Sequence, residues 1–173
     1  MPNKKILIIA GPNGAGKTTF IKEYLRNDAN IEYFVNADTI ALGLSQFSPE
    51  KVALKAGRLF LGQIDEYVSA GVNFSFETTL SSMNYKNKIF NWKNSGYQVK
   101  LIFLMLDNYD IAIRRVEQRV RQGGHFIAHD IIKRRFTRGL YNFHHVYKIL
   151  VNSWQIYNNG TDPAILLDEG ENA

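Results

Sequence analysis

The stretch KILIIAGPNGAGKTTF (residues 5–20) decides how the rest of this chain is read. Its first half, Lys5–Ala10, is a short and nearly continuous apolar run, the pattern of a strand buried on both faces of a parallel sheet. Its second half is G-x-x-x-x-G-K-[ST], a loop whose glycines let successive backbone N–H groups converge on one point. A helix starting at Lys17 adds the positive end of its dipole there. Strand, glycine loop and helix in that order make a cradle for phosphate. Gly11, Pro12, Asn13, Gly14, Ala15, Gly16, Lys17, Thr18 and Thr19 are therefore expected to hold a nucleoside triphosphate. Lys17 would reach the β- and γ-phosphates, and the Thr18 hydroxyl would face Mg2+.

Outward from this loop the pattern alternates. Further strands are predicted at Tyr33–Asn36, Asn73–Glu77, Val99–Leu106 and Ala164–Leu167. Helices are predicted from Lys17 to about Arg26, from Ser48-Pro49 to Gly71, and at Tyr85–Asn94, Asp110–Arg121 and Asp130–Leu150. Ser48 supplies a capping hydroxyl and Pro49 suits a first turn. Ile132, Phe136, Leu140, Phe143 and Tyr147 give the last helix a buried stripe. Alternating strands and helices predict an α/β fold with a parallel sheet and helices on both faces. The end of the chain, EGENA, is expected to fray.

With 173 residues, 45% of them hydrophobic, the chain can bury one good core, and a single domain over 1–173 is expected. There is no cysteine, hence no disulfide framework and no thiolate metal site. No apolar run is long enough to span a bilayer, and the N-terminus lacks the pattern of a signal peptide, so a cytoplasmic address is expected. The formal net charge is +5. Residues 114–138 carry eight basic side chains against two acidic ones, so the excess positive charge is one local block. Such a block attracts a polyanion. Within RRVEQRVRQGGHFIAHDIIKRRFTRGL (residues 114–140), Arg115 and Arg119 lie one helical turn apart, as do Arg134 and Arg138, with Arg135 beside them. The Gly123-Gly124 break between them suits a hinge. The expectation is a lid around 114–138 whose arginines close over a triphosphate.

Ligands in such sheets bind at the carboxyl ends of the strands. Three acids are expected there: Asp38 in FVNAD, Glu77 in FSFETT and Asp107 in LIFLMLD. Asp107 reads as a turn former. Asp38 and Glu77 follow strands that should neighbour the glycine loop. Between them they could accept a proton from an attacking hydroxyl and hold Mg2+. His125 and His129 span a loop with no further ligands, so no metal site is expected there. Trp92 and Trp154 read as packing residues. Neither an LSGGQ-type signature nor an NKxD motif occurs, which argues against a transport motor or a guanine-nucleotide switch and for a small kinase.

The chain resembles the zeta toxin-like small P-loop kinases. The resemblance rests on GPNGAGKTTF, VNADTIA, AGRLFLGQID, GVNFSFETTLS, GYQVKLIFLML, RVEQRVRQGGH and IIKRRFTRGLYNF, in order from Lys5 to about Tyr157. It implies a nucleotide-kinase type of P-loop nucleoside triphosphate hydrolase fold, with a five-stranded parallel sheet in the order 2-3-1-4-5. It implies a Mg-ATP-dependent kinase that phosphorylates a hydroxyl of UDP-N-acetylglucosamine and is restrained by a small antitoxin protein. Asp38 matches the family's proton acceptor, with Asn36 before it. Lys17 and Thr18 match the ATP loop. Glu77 and Thr78 match an acid segment on the substrate or metal side. Arg119, with Arg134 or Arg135, matches the lid arginines, and Arg58 is expected to face the acceptor. Asn158 and Asn159 fall where the family's adenine-side loop would lie. Ala41 stands where better-known members often carry a basic residue.

Two other functional classes fit the residues. One is a polynucleotide or RNA-end kinase that uses the basic block to hold a nucleic-acid backbone. The other is a regulatory ATPase that acts through a protein partner.

Overall fold

The strand β1 (Lys4–Ala10) is buried from Ile6 onward and lies inside a six-stranded sheet in the computed structural model, which describes residues 4–26 and 31–172. On one side β1 pairs in parallel with β3 (Phe74–Thr78), Ile6 opposite Phe74 and Ala10 opposite Thr78. Beyond β3 lies β2 (Tyr33–Val35). On the other side β1 pairs in parallel with β4 (Tyr97–Met105), which pairs in parallel with β5 (Ser153–Asn158). The five parallel strands thus run 2-3-1-4-5. All their carboxyl ends meet one edge, which is where the glycine loop sits.

The two faces of the sheet are covered by different helices. On one face Phe60 and Ile64 of α3 (Ala53–Ala70) and Ile89 and Trp92 of α4 (Lys86–Asn94) pack over Ile6, Ile8, Phe74 and Phe76. On the other, Ile21 of α1 (Lys17–Arg26), Ala112 and Val116 of α5 (Tyr109–Arg121) and Ile132 of α6 (His129–Asn142) cover Leu7, Ile9, Ile102 and Leu104. Alternate residues of β1 feed the two layers, as the two-residue period of a strand requires. Trp92 and Trp154 are both buried in the first layer.

Three expectations need correction. The sheet has six strands rather than five, and Ala164–Leu167 is not the fifth parallel strand. That place belongs to β5, whose buried Trp154 and Ile156 alternate with half-buried Ser153, Gln155 and Tyr157. Such alternation is not the continuous apolar run that marks a strand buried on both faces. The predicted segment falls in β6 (Ile165–Glu171), which pairs antiparallel with β5 on the sheet's edge. A connection as short as residues 159–164 permits only that reversal, because a parallel return needs a crossover of a dozen residues or more. The end of the chain does not fray as expected over its described residues: Glu169 to Glu171 pair with β5, and the Asn172 amide donates to the carbonyls of Lys148 and Val151. Ala173 lies outside the described residues. Finally, the Ser48 side chain caps nothing; Pro49–Val52 forms a 3-10 turn before α3 begins. A further helix, α2 (Ala37–Leu44), stands between β2 and that turn, where the sequence reading had none.

The long last helix is interrupted. After Asn142 it continues as a π turn, Phe143–Tyr147, with the Lys148 N–H bonding back to the Phe143 carbonyl at 2.9 Å. Side chains at this break hold the loop that follows β3. Buried Asn142 donates to the Leu80 carbonyl at 2.9 Å, and the Tyr147 hydroxyl donates to the Ser82 carbonyl at 2.6 Å. Gly139 is buried against the Thr79 carbonyl so closely that a side chain there would collide with it.

Candidate active site

The glycine loop closes as its sequence requires. Gly14 and Gly16 have φ of +79° and +80°, a region open to glycine at little cost. A Cβ on Gly14 would also come within 2.7 Å of the Ala112 carbonyl. The Lys17 ammonium donates to the carbonyls of Gly11 and Pro12, each at 2.9 Å, so it is folded onto its own loop. Burial there pushes its pKa down from the ordinary lysine value to about 8, while the carboxylates of Glu77 and Asp38 pull the other way.

From Thr18 a row of side chains runs across the carboxyl ends of β1, β3 and β2. The Thr18 hydroxyl donates to Glu77 Oε2 at 2.9 Å. Glu77 Oε1 accepts from Asn36 Nδ2 at 2.7 Å. Asn36 Oδ1 accepts from the backbone N–H groups of Asp38 and Thr39, at 2.7 and 3.3 Å, and so caps α2. Asp38 therefore stands exposed in the first turn of α2, beside the sheet edge. Thr18 and Glu77 fit a hydrated Mg2+, which takes one or two protein oxygens and completes its shell with water and phosphate.

From α6, Arg135 Nη1 donates to Asn13 Oδ1 at 3.2 Å. Burial lowers the pKa of this guanidinium from the usual arginine value, with Asp38 opposing the shift. Arg134 and Arg138 are exposed on the same helix. Arg119 is exposed as well, though its charge reaches Lys17 and helps to lower that pKa. Asn13, Lys17, Asn36, Asp38, Arg58, Glu77, Thr78 and Arg135 share the lining of one cleft of about 390 Å³, walled by α3 through Leu54 and Leu61 and by Tyr85. Arg134 and Arg119 are not in that lining.

A second hollow, of about 520 Å³, opens on the other flank of the loop. It is lined by Gly16, Thr19, Phe20, Arg115, Tyr157 and the β5–β6 connection from Asn159 to Ala164. Arg115, expected among the lid arginines, is tied by its side chain to two loops in the structure. Its guanidinium donates to the carbonyls of Asn159 at 2.9 Å, Gly160 at 3.3 Å and Gly14 at 3.4 Å. The Asn159 amide completes the clamp by donating to the Ala15 carbonyl at 2.6 Å. No local pattern announces this, since the partners stand more than forty residues apart. Asp107 Oδ1 accepts from Asn158 Nδ2 at 2.8 Å at the bend between β4 and α5, and Asn108 caps α5.

Fold and edge geometry define a P-loop fold of the kinase type. The zeta toxin sequence profile matches residues 2–170, and the chain belongs to the zeta toxin family. An uncharacterised protein of Haemophilus influenzae is 31% identical over 136 residues, which is 79% of this chain and 94% of that one. Among solved structures, AvrRxo1-ORF1:-ORF2 with ATP aligns over 96% of this chain and 58% of its own, with TM-score 0.77 and 15% identity. The PezAT chromosomal toxin-antitoxin system of Streptococcus pneumoniae aligns over 98% and 72%, with TM-score 0.69 and 20% identity. The Pnkp1/Rnl/Hen1 RNA repair complex aligns over 83% and 46%, with TM-score 0.63 and 21% identity. The chain thus spans about half the length of two of these three structures.

Proposed function

We propose that this protein is a Mg-ATP-dependent phosphotransferase that passes the γ-phosphate to a hydroxyl of a UDP-N-acetylglucosamine-like sugar nucleotide. One observation carries the reading. A single cleft is lined at once by the loop lysine, by a carboxylate at a strand end and by an arginine from α6. Lys17 would exchange the Gly11 and Pro12 carbonyls for phosphate oxygens. Asp38 would accept the proton of the attacking hydroxyl. Arg135, assisted by Arg119 and Arg134 from a lid over 114–138, would neutralise charge on the transferred group. Thr18 would hold Mg2+, with Glu77 acting directly or through water; when bound, the ion neutralises and aligns the phosphates. Asn36, Arg58 and Thr78 would border the acceptor. Positioning and charge stabilisation would supply most of the rate, since phosphoryl transfer asks for little covalent chemistry.

Membership of the zeta toxin family supports the sugar-nucleotide acceptor and a small antitoxin protein as partner. Among the described residues no helix is long and apolar enough to cross a membrane, and a cytoplasmic site of action is part of the proposal. A second reading, an RNA-end kinase, draws on the exposed basic residues Arg134 and Arg138 of α6, on Lys51 in the 3-10 turn and on Lys55 at the start of α3.

The test is a mass-spectrometric transfer assay with Mg-ATP and a panel of UDP-sugars, nucleosides and 5′-hydroxyl oligonucleotides. A phosphorylated UDP-N-acetylamino sugar that disappears with Lys17→Ala and Asp38→Asn is the expected result. Phosphorylated oligonucleotide ends would replace it with the second reading. ADP release with no phosphorylated acceptor, alongside a nucleotide-dependent protein partner, would favour a regulatory ATPase.

A further inference from the structure

The row Thr18–Glu77–Asn36 has a direction that side-chain chemistry alone dictates. Backbone N–H groups can only donate, so the atom of Asn36 that faces Asp38 N and Thr39 N has to be its oxygen. Its nitrogen is then turned toward Glu77 Oε1, 2.7 Å away. Glu77, an acceptor at both oxygens, receives Asn36 on one and the Thr18 hydroxyl proton on the other. A hydroxyl has one proton. With that proton committed to Glu77, the lone pairs of Thr18 Oγ1 are free for a cation.

We infer that Asn36 is a positioning residue for the divalent cation: by locking the Glu77 carboxylate in its rotamer, it orients the Thr18 oxygen toward the metal while its own oxygen anchors the helix turn that carries Asp38. It touches neither phosphate nor metal. The role differs from the contact with acceptor proposed for it above, and it rests on that proposal only in taking Thr18 and Glu77 as the metal-side pair. One side chain thereby ties the metal side of the site to the proton-accepting side, across three neighbouring strands. Only asparagine supplies both halves at this length. Aspartate keeps the cap but loses the donor; serine keeps the cap but is too short to reach Glu77.

The experiment measures binding of a non-hydrolysable ATP analogue by titration calorimetry across a series of Mg2+ concentrations, for the native protein, Asn36→Asp and Asn36→Ser, with thermal melts alongside. Both variants retain a capping oxygen, so both should fold. Groups that orient metal ligands typically contribute 10- to 100-fold to metal affinity. The expected result is a half-saturating Mg2+ concentration raised about tenfold or more in both variants. Equal Mg2+ dependence in all three proteins overturns the inference, whatever happens to the melting temperature. A defect in Asn36→Asp alone also overturns it, because the added charge would then be the cause rather than the lost donor. Turnover is not the readout, so a native protein that binds Mg2+ and analogue but transfers no phosphate would sink the kinase reading and leave this inference standing. A native protein that binds no nucleotide overturns both.

Discussion

At the scale of single residues, Lys17 and Asp38 carry the sharpest expectations. Lys17 has a pKa near 8 while it rests on the Gly11 and Pro12 carbonyls. A bound triphosphate favours the charged form and raises that value, so binding above pH 8 has to take up a proton. Affinity for ATP should therefore fall as pH rises through 8, by up to about tenfold per unit. Below pH 7 Lys17 is already charged and its contribution to the slope should vanish. Calorimetry at pH 8.5 in two buffers of different ionisation heat would measure the uptake; zero uptake would contradict the assignment. Asp38→Asn should leave nucleotide affinity within about threefold of native and slow transfer by about 10²- to 10⁴-fold, the usual reach of a proton acceptor. Both residues are legible from sequence because each sits at a fixed offset from a strand end. Asn13, which accepts a hydrogen bond from Arg135, was legible only as part of the loop. Its partner is 122 residues away, and no local rule pairs them.

At the scale of elements, the positions of α6 and of the β5–β6 connection depend on contacts that periodicity does not encode. Gly139 lets α6 lie against the Thr79 carbonyl. Gly139→Ala should push the helix away, lower stability by about 1–3 kcal/mol, as overpacking commonly does, and weaken the Arg135–Asn13 approach. A melting curve read together with the KM for ATP would check it; a variant as stable and active as native would show that the contact is slack. Arg115→Ala should release the β5–β6 connection at Asn159 and Gly160 from the glycine loop at Gly14. The expected sign is a KM for ATP raised about tenfold or more with a smaller change in kcat, the mark of lost ground-state binding. A fall in kcat with the KM for ATP unchanged would instead put Arg115 at the transferred phosphate. Standing one turn from Arg119, Arg115 groups with the lid arginines by spacing alone. Spacing on a helix says which side chains share a face; it does not say what that face meets. For the same reason β5 is hard to see in the sequence: its alternating pattern is that of a strand with one well-covered face, not the continuous apolar run of a strand buried on both.

At the scale of the whole molecule, the sheet is the platform and both layers must hold for the edge to keep its shape. Phe103 of β4 is buried and lies 4.9 Å, centroid to centroid, from the ring of Phe143 at the π turn. It joins the sheet to the segment that suspends the loop after β3. Phe103→Ala should cost about 3–5 kcal/mol, the range for emptying a buried aromatic site. Denaturant unfolding would measure it, and a loss below about 1 kcal/mol would mean that the layer re-packs around the gap. What the sequence by itself determined is local and periodic: the glycine loop between a buried strand and a helix, the alternation that makes an α/β sheet, and the acids that end its strands. Those features follow from backbone dihedrals, side-chain period and the chemistry of phosphate, all written within a few neighbouring residues. Only the tertiary structure decided that a sixth strand turns back along the edge, that Arg115 bonds the β5–β6 connection to the glycine loop, and that Arg135, not Arg134, reaches the cleft. Each of these depends on which distant segment arrives opposite a given side chain, and that is settled by packing across the sheet rather than by any window of sequence.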